Sequence, residues 1–253
     1  MALSSGVVFP RVIGHRGAAA HAPENTLACF SKAKDCGASW VELDVQLSAD
    51  GVPVVFHDDL LDRTSSGQGL LTDQPYSLLK TLDAGSWFDP AFAGETIPTL
   101  ETALRHIASL GLGLNIEIKA DEARGETTTL AALVALRTAW PSKLPLLLSS
   151  FAQSAVAAAR DAAPTIPRAL LAEELPSGWQ RKLESLDCAA INLDWTKLSP
   201  ALAHQIKAAG YGLLAYTVNS PAQAERLLQW GVDGVFTDAP DRMSRILASS
   251  FAE

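Results

Sequence analysis

Short apolar runs alternate with amphipathic stretches along nearly the whole chain. RVIGH, WVELDV, VPVVFH, LNIEIK, LPLLLSS, PRALLA, AAINLD, YGLLAYTV and GVFTD read as strands, being brief aliphatic and β-branched runs closed by turn formers. Between most of them lie segments such as TLETALRHIASLG, FAQSAVAAARDAA, SPALAHQIKAAG and SPAQAERLLQWG, whose apolar positions recur at helical spacing. Helix ends are marked as well. Asn25 is placed to cap a helix running from Thr26 towards Cys36, Gly37 lies just beyond, and Gly210 and Gly231 close two later helices. Strand and helix in this regular alternation predict a parallel sheet.

One connection breaks the pattern. Ala49, Asp50 and Gly51 are too few for a helical crossover and carry a hairpin signal, so VPVVFH is expected to run antiparallel to WVELDV. A turn centred on Asp50 and Gly51 pairs position 57 with position 44. Setting that segment aside leaves about eight strands, which predicts a single closed (βα)8 TIM barrel over residues 1–253 rather than an open doubly wound sheet. The stretch from about 58 to 96, with DRTSSGQG and GSWFDPAFAG, is too long for a routine barrel loop. It is expected to form a small insertion over the C-terminal mouth.

Composition narrows the partners. With 48% hydrophobic and 19% charged residues in 253, the chain can bury one large core and no segment reads as disordered. A net charge of −8 without a basic stripe argues against nucleic acid, while a small anionic ligand is compatible if cations are concentrated locally. The opening MALSSGVVFPRVIGHRG lacks a charged leader followed by a long apolar run, so neither a cleaved signal nor stable membrane insertion is expected. Cys29, Cys36 and Cys188 are odd in number and widely spaced, which fits free thiols packed in a cytoplasmic protein. The chain is equally compatible with a monomer and a homodimer.

Charged residues inside the strands change the picture. Glu42 and Asp44 stand two apart in WVELDV and share one face, with Val41, Leu43 and Val45 on the other. Two carboxylates that close repel unless a proton or cation intervenes, and a hard divalent ion takes oxygen ligands of this kind. The alternative of an exposed strand face fits poorly, because helices cover the outside of barrel strands. Glu117 and Lys119 repeat the pattern in LNIEIK, where an internal ion pair is the competing reading. His15 closes the first strand beside Arg16, with Gly14 and Gly17 allowing close backbone approach, and His57 ends the hairpin strand. His106 and His204 fall on amphipathic helices and read as structural; for His21, in a loop, a ligand contact stays open. Two histidines, a cation held by carboxylates, an arginine and a lysine suit displacement at phosphorus, with imidazoles moving protons and cations balancing phosphoryl charge.

These residues resemble the signature of the glycerophosphodiester phosphodiesterase family. The resemblance runs through HRG at 15–17, PENT at 23–26, ELDVQLSADGVPVVFHDD at 42–59, LDRTSSGQG, IPTLETAL, NIEIK at 115–119, SSF at 149–151 and GVDGVFTDAPD near the end. It implies a barrel with a mouth insertion, a Mg²⁺ or Ca²⁺ ion held by Glu42, Asp44 and Glu117, and His15 and His57 as acid and base. It also implies phosphate binding by Arg16 and Lys119, and a substrate-facing Phe151. The substrates implied are deacylated phospholipids such as glycerophosphocholine and glycerophosphoethanolamine, cleaved to sn-glycerol 3-phosphate and an alcohol. A neighbouring glycerol hydroxyl is the implied internal nucleophile, giving a cyclic phosphate that water opens. Tyr216 stands where many relatives carry tryptophan before T-V-N, which bears on headgroup or glycerol packing, and Ala120 stands where proline is frequent.

Three rival readings are distinguishable. A lysophospholipase D or phospholipase C activity on the same barrel needs an apolar rim, for which the insertion offers Trp87, Phe88 and Phe92. A glycosidase would use paired carboxylates that flank the scissile bond, which same-face neighbours on one strand do not, and it leaves the cations without a role. A non-enzymatic binding module would bind in saturating metal without turnover.

Overall fold

All nine expected strands form. They are β1 (Val12–Gly14), β2 (Trp40–Leu47), β3 (Pro53–Val55), β4 (Gly113–Ile118), β5 (Leu146–Ser150), β6 (Arg168–Ala172), β7 (Ala190–Asp194), β8 (Gly212–Tyr216) and β9 (Gly234–Thr237). In this computed structural model, which describes residues 7–243 and 246, β1 pairs in parallel with both β9 and β2, so the sheet closes on itself. Every pairing is parallel except that of β2 with β3. The result is the closed TIM barrel that the alternation predicts. Residues 1–6, part of the stretch read for a leader, lie outside the described residues. No helix among the described residues is long and apolar enough to cross a membrane.

The helices are α1 (Leu27–Asp35), α2 (Tyr76–Leu79), α3 (Leu100–Ser109), α4 (Gly125–Ala139), α5 (Gln153–Ala162), α6 (Trp179–Ser185), α7 (Pro200–Ala208) and α8 (Pro221–Gln229). Thr26, Thr99 and Ser199 cap α1, α3 and α7, each accepting from the backbone N–H three residues on. Thr26 therefore takes the capping place expected of Asn25. Asn25 instead adopts a left-handed backbone, with φ 61, and turns its amide inward.

Strand alternation sorts the side chains into two environments. Val41, Leu43 and Val45 of β2 and Leu114, Ile116 and Ile118 of β4 face outward into one core with α3 and α4. A second outer core covers the strands from β6 to β9. Inside the barrel, Ile13, Trp40, Leu147, Ala169, Ala190, Leu214 and Phe236 form an apolar floor. Later inward positions on these strands and on β4 are polar, among them Glu42, Asp44, Asn115, Ser149 and Asn192, all buried. Polar groups buried at that depth need partners, so the candidate site lies at the C-terminal end of the barrel. An apolar groove of about 820 Å³ at the opposite end, lined by Trp40, Trp140, Leu146 and Pro167, contains none of the expected site residues.

The hairpin departs from expectation by one residue. Val45 pairs with Val55 and Leu47 with Pro53, and the Phe56 N–H donates to the Asp44 carbonyl, so position 44 faces 56 and not 57. Gly51, at φ 78, supplies the left-handed residue that ends a three-residue turn between Ser48 and Val52, adding one position to the loop. The segment from β3 to α3 builds a small core of its own from Phe56, Leu61, Leu71, Leu79 and Ile97. Arg63 joins this segment to Glu24 in the loop after β1.

Candidate active site

Glu42 and Asp44 project inward from β2 beside β4, where Asp44 is in register with Glu117. Ligand oxygens of the three carboxylates lie within 4.8 Å of one another, and Glu42 and Asp44 are buried. Burial and the neighbouring Asp44 and Glu117 push the Glu42 carboxyl far above its ordinary range. Glu117 is raised to about 7, chiefly by burial and then by Asp44. Burial also opposes ionisation of Asp44, but Arg16, His57, Lys119 and the Asn25 amide together hold it below its ordinary value. Glu42 Oε1 is buried without a hydrogen-bond partner. An oxygen-only, mutually repelling set with an orphaned atom fits a hard divalent cation.

The cationic side chains surround that set. The Arg16 backbone N–H donates to Glu42 Oε2 at 2.8 Å, its Nη1 to Glu24 at 2.7 Å, and its Nε lies 3.5 Å from Asp44. Arg16 has a left-handed backbone, φ 51, and Gly17 follows at φ 98, where an added Cβ would lie 2.7 Å from Cys29 Sγ. Only glycine at 17 lets the chain turn this tightly against α1 and present Arg16 to the carboxylates. Lys119 Nζ lies 3.3 Å from Glu117 Oε1 and 3.2 Å from His57 Nε2. Although burial pulls the other way, Glu117 and Asp44 hold its ammonium above the ordinary lysine value.

Each histidine is oriented by an aspartate. His15 Nδ1 meets Asp238 Oδ1 at 2.7 Å, and Asp238 accepts from the Asn219 amide at 2.6 Å. His57 Nδ1 meets Asp58 Oδ1 at 2.6 Å, and Arg63 grips both Asp58 and Glu24. Gln46, inward on β2, donates to the carbonyls of Phe56, His57 and Asp58 at 3.1, 3.1 and 2.8 Å. That clamp brings His57 to the site although the hairpin register does not. Burial, with Arg16 and Lys119 nearby, lowers the His57 pKa and keeps its imidazole neutral. These contacts assign Nδ1 as the protonated nitrogen and leave Nε2 as the acceptor.

His15, Arg16, Glu42, His57, Glu117 and Lys119 line a cavity of about 360 Å³ whose far wall is Phe151, Asn192 and Tyr216. The Phe151 and Tyr216 rings meet edge to face with centroids 6.2 Å apart, and Tyr216 Oη donates to the Ala172 carbonyl at 2.9 Å. Asn192 is fully buried with neither amide atom bonded, and Asn115 Oδ1 is likewise unpartnered. The structure thus brings together His15, Arg16, Glu42, Asp44, His57, Glu117, Lys119, Phe151 and Tyr216. Sequence reading missed Glu24, Asn25, Gln46, Asp58, Arg63, Asn192 and Asp238. Gln46 and Asn192 carried the same signal as Glu42, a polar residue at an inward strand position. The others sit in loops, where periodicity is silent.

Similar proteins point the same way. The model of the glycerophosphoryl diester phosphodiesterase family matches residues 15–242. A glycerophosphodiester phosphodiesterase of Caldanaerobacter subterraneus subsp. tengcongensis is 33% identical over 237 residues, covering 93% of this chain and 97% of that protein. One of Bacillus subtilis is 32% identical over 250 residues, covering 92% and 85%. Among solved structures, an Oleispira antarctica phosphodiesterase in complex with the product sn-glycerol-3-phosphate is 44% identical. It superposes with a TM-score of 0.91 over 96% of this chain and 97% of that one.

Proposed function

This chain belongs to the glycerophosphoryl diester phosphodiesterase family and is a phosphoric diester hydrolase; from that premise we propose metal-dependent cleavage of deacylated phospholipids, such as glycerophosphocholine and glycerophosphoethanolamine, to sn-glycerol 3-phosphate and the free alcohol. The observation that carries the reading is the convergence of Glu42, Glu117, two aspartate-backed histidines, Arg16 and Lys119 on one cavity, with Asp44 clustered against the two glutamates. Binding of sn-glycerol-3-phosphate by the Oleispira antarctica phosphodiesterase supports the product.

Glu42, Asp44 and Glu117 would hold the divalent cation, Mg²⁺ or Ca²⁺. Bound there, it supplies Lewis-acid neutralisation of phosphoryl charge. Arg16 and Lys119 hold the non-bridging oxygens and oppose the charge that develops on them. His57, neutral and with Nε2 free of its proton, takes the proton of the attacking hydroxyl. His15, anchored through Nδ1 to Asp238, uses Nε2 to protonate the leaving alcohol oxygen as the P–O bond breaks. With the glycerol hydroxyl as nucleophile the first product is a cyclic phosphate, and the two imidazoles exchange roles when water opens it. At rest Lys119 donates to the same His57 nitrogen, and an entering phosphate gives its ammonium another acceptor.

Trp87, Phe88 and Phe92 form an edge-to-face cluster with centroids 5.7 Å apart, yet none of them lines the cavity. The apolar cluster that the insertion offers an acyl chain is therefore not at the cavity wall, which favours the deacylated substrate. The test is release of sn-glycerol 3-phosphate from glycerophosphocholine and glycerophosphoethanolamine in Mg²⁺, Ca²⁺ or EDTA, beside Glu42→Ala and with lysophosphatidylcholine as competitor. Metal-dependent release, lost in the variant, is expected. Faster choline release from the lysolipid would replace this reading with a lysophospholipase D, and EDTA-resistant release would remove the metal from it.

A further inference from the structure

Among the described residues a second group of potential metal ligands lies apart from the carboxylates. His21, Cys36 and Asp241 offer one donor atom each, all within 4.8 Å of one another. They come from three separate segments: the loop after β1, the residue that ends α1, and the turn Pro240–Met243 after β9. His21 Nε2 lies 2.7 Å from Asp241 Oδ1, and the Asp241 backbone N–H faces the Cys36 sulfur. We propose that His21, Cys36 and Asp241 form a second metal site, for a borderline-soft divalent cation such as Zn²⁺, that fastens the exit of β9 to the loop after β1 and to the end of α1.

The donor set argues for the class of ion. Imidazole, thiolate and carboxylate together suit Zn²⁺ and its neighbours in the transition series, whereas Mg²⁺ and Ca²⁺ prefer the oxygen-only set of Glu42, Asp44 and Glu117. The charges balance, since a thiolate and a carboxylate neutralise a divalent ion and leave the imidazole neutral. The backbone holds the donors in place. The His21 N–H donates to the Ala18 carbonyl, the Ala20 N–H to the Asp238 carbonyl, and the Cys36 N–H to the Lys32 carbonyl. His21 and Asp241 are both partly exposed, so an ion reaches them without unfolding and water completes its coordination.

A cysteine protease-like triad is the other chemistry that these three residue types suggest. Burial and the Asp241 carboxylate push the Cys36 thiol up, which is the wrong direction for a free nucleophile. A bound cation reverses that, displacing the thiol proton to solvent on binding. The site also touches the chemistry at one remove, because the loop that carries His21 begins with His15 and Arg16, and Asp241 follows Asp238 in one short turn.

The full chain, held in excess Mg²⁺ so that the carboxylate site is filled, would be titrated with Co²⁺ as a spectroscopic stand-in and then with Zn²⁺. A thiolate-to-cobalt charge-transfer band that saturates at a stoichiometric amount and is displaced by Zn²⁺ is expected. It should vanish in Cys36→Ser, weaken about 10-fold or more in Asp241→Asn, and survive in Glu42→Gln. Zn²⁺ should also raise the Tm of the wild type and leave His21→Gln unmoved, with Mg²⁺-supported phosphodiesterase activity reporting that each exposed-site variant is folded. A wild type without the band, or a band that persists in Cys36→Ser, overturns the proposal and reduces the contact to a hydrogen-bond staple.

Discussion

Asn192 stands at an inward position of β7 with both amide atoms buried and unbonded, against the usual rule that buried polar groups are paired. Such a group is costly unless water or a hydroxyl-bearing ligand meets it, because an amide offers a donor and an acceptor together, as an alcohol requires. Asn115 Oδ1 adds a second unpartnered acceptor in the same cavity. Asn192→Leu is therefore expected to raise the denaturation midpoint, corresponding to about 1–3 kcal/mol from removal of the unmet amide. The same change should lower kcat/KM for glycerophosphocholine by about 10-fold, mainly through KM. Calorimetry beside steady-state kinetics reads both. A variant that is destabilised and keeps its KM would mean that Asn192 serves packing alone.

At the scale of elements, one residue of the segment between β3 and α3 ties two sides of the candidate site together. Arg63 binds Asp58, which orients His57, and Glu24, which binds Arg16. Burial opposes ionisation of Glu24, but Arg63 and Arg16 overcome it and keep the carboxylate charged. Arg63→Met should release His57 and Arg16 from their orientation and lower kcat by about 10²-fold, with the cooperative melt nearly unchanged because the side chain is half-exposed and outside the apolar cores. Arg63→Lys should recover little, since a single ammonium cannot span two carboxylates as the guanidinium fork does. Full activity in Arg63→Met would show that the segment shapes the mouth without steering the histidines. None of this network was legible in the sequence. Strand alternation made the barrel and the pairs Glu42 with Asp44 and Glu117 with Lys119 readable, because a period of two assigns each residue a face. It says nothing of loops, so Asp58, Arg63 and Asp238 stayed hidden. The one-residue error in the hairpin arose where Gly51 takes a left-handed backbone that a simple turn count does not anticipate.

For the whole molecule, burying three carboxylates together couples folding to pH and, on the metal-dependent reading proposed above, to a divalent cation. Glu117 is raised to about 7 in the folded protein, against about 4.3 for an unfolded glutamate, and Glu42 is raised in the same direction. Between those two values the folded state binds more protons than the unfolded one, so stability falls as pH rises. The contribution of Glu117 is fully present below about pH 4.3 and is lost through about 7, a change on the order of 4 kcal/mol for this group. Asp44 and His57 have the opposite sign; the effect of Asp44 lies below the ordinary aspartate value, while that of His57 falls just below about 6.5, inside the window, and is shared by the wild type and a Glu117 variant, so that comparison isolates the carboxylate. Metal-free wild type should accordingly lose Tm between pH 5 and pH 7.5, more steeply than Glu117→Gln, whose amide cannot ionise. A divalent cation replaces the protons that hold the cluster together, so added Mg²⁺ should recover more stability at pH 7.5 than at pH 5 and release protons as it binds. Calorimetric melts of the EDTA-treated protein at several pH values, repeated with Mg²⁺ and in Glu117→Gln, measure each part. Parallel pH profiles for the two proteins would show that the carboxylates share their burden with the surrounding cations alone, so that the fold itself does not depend on the ion.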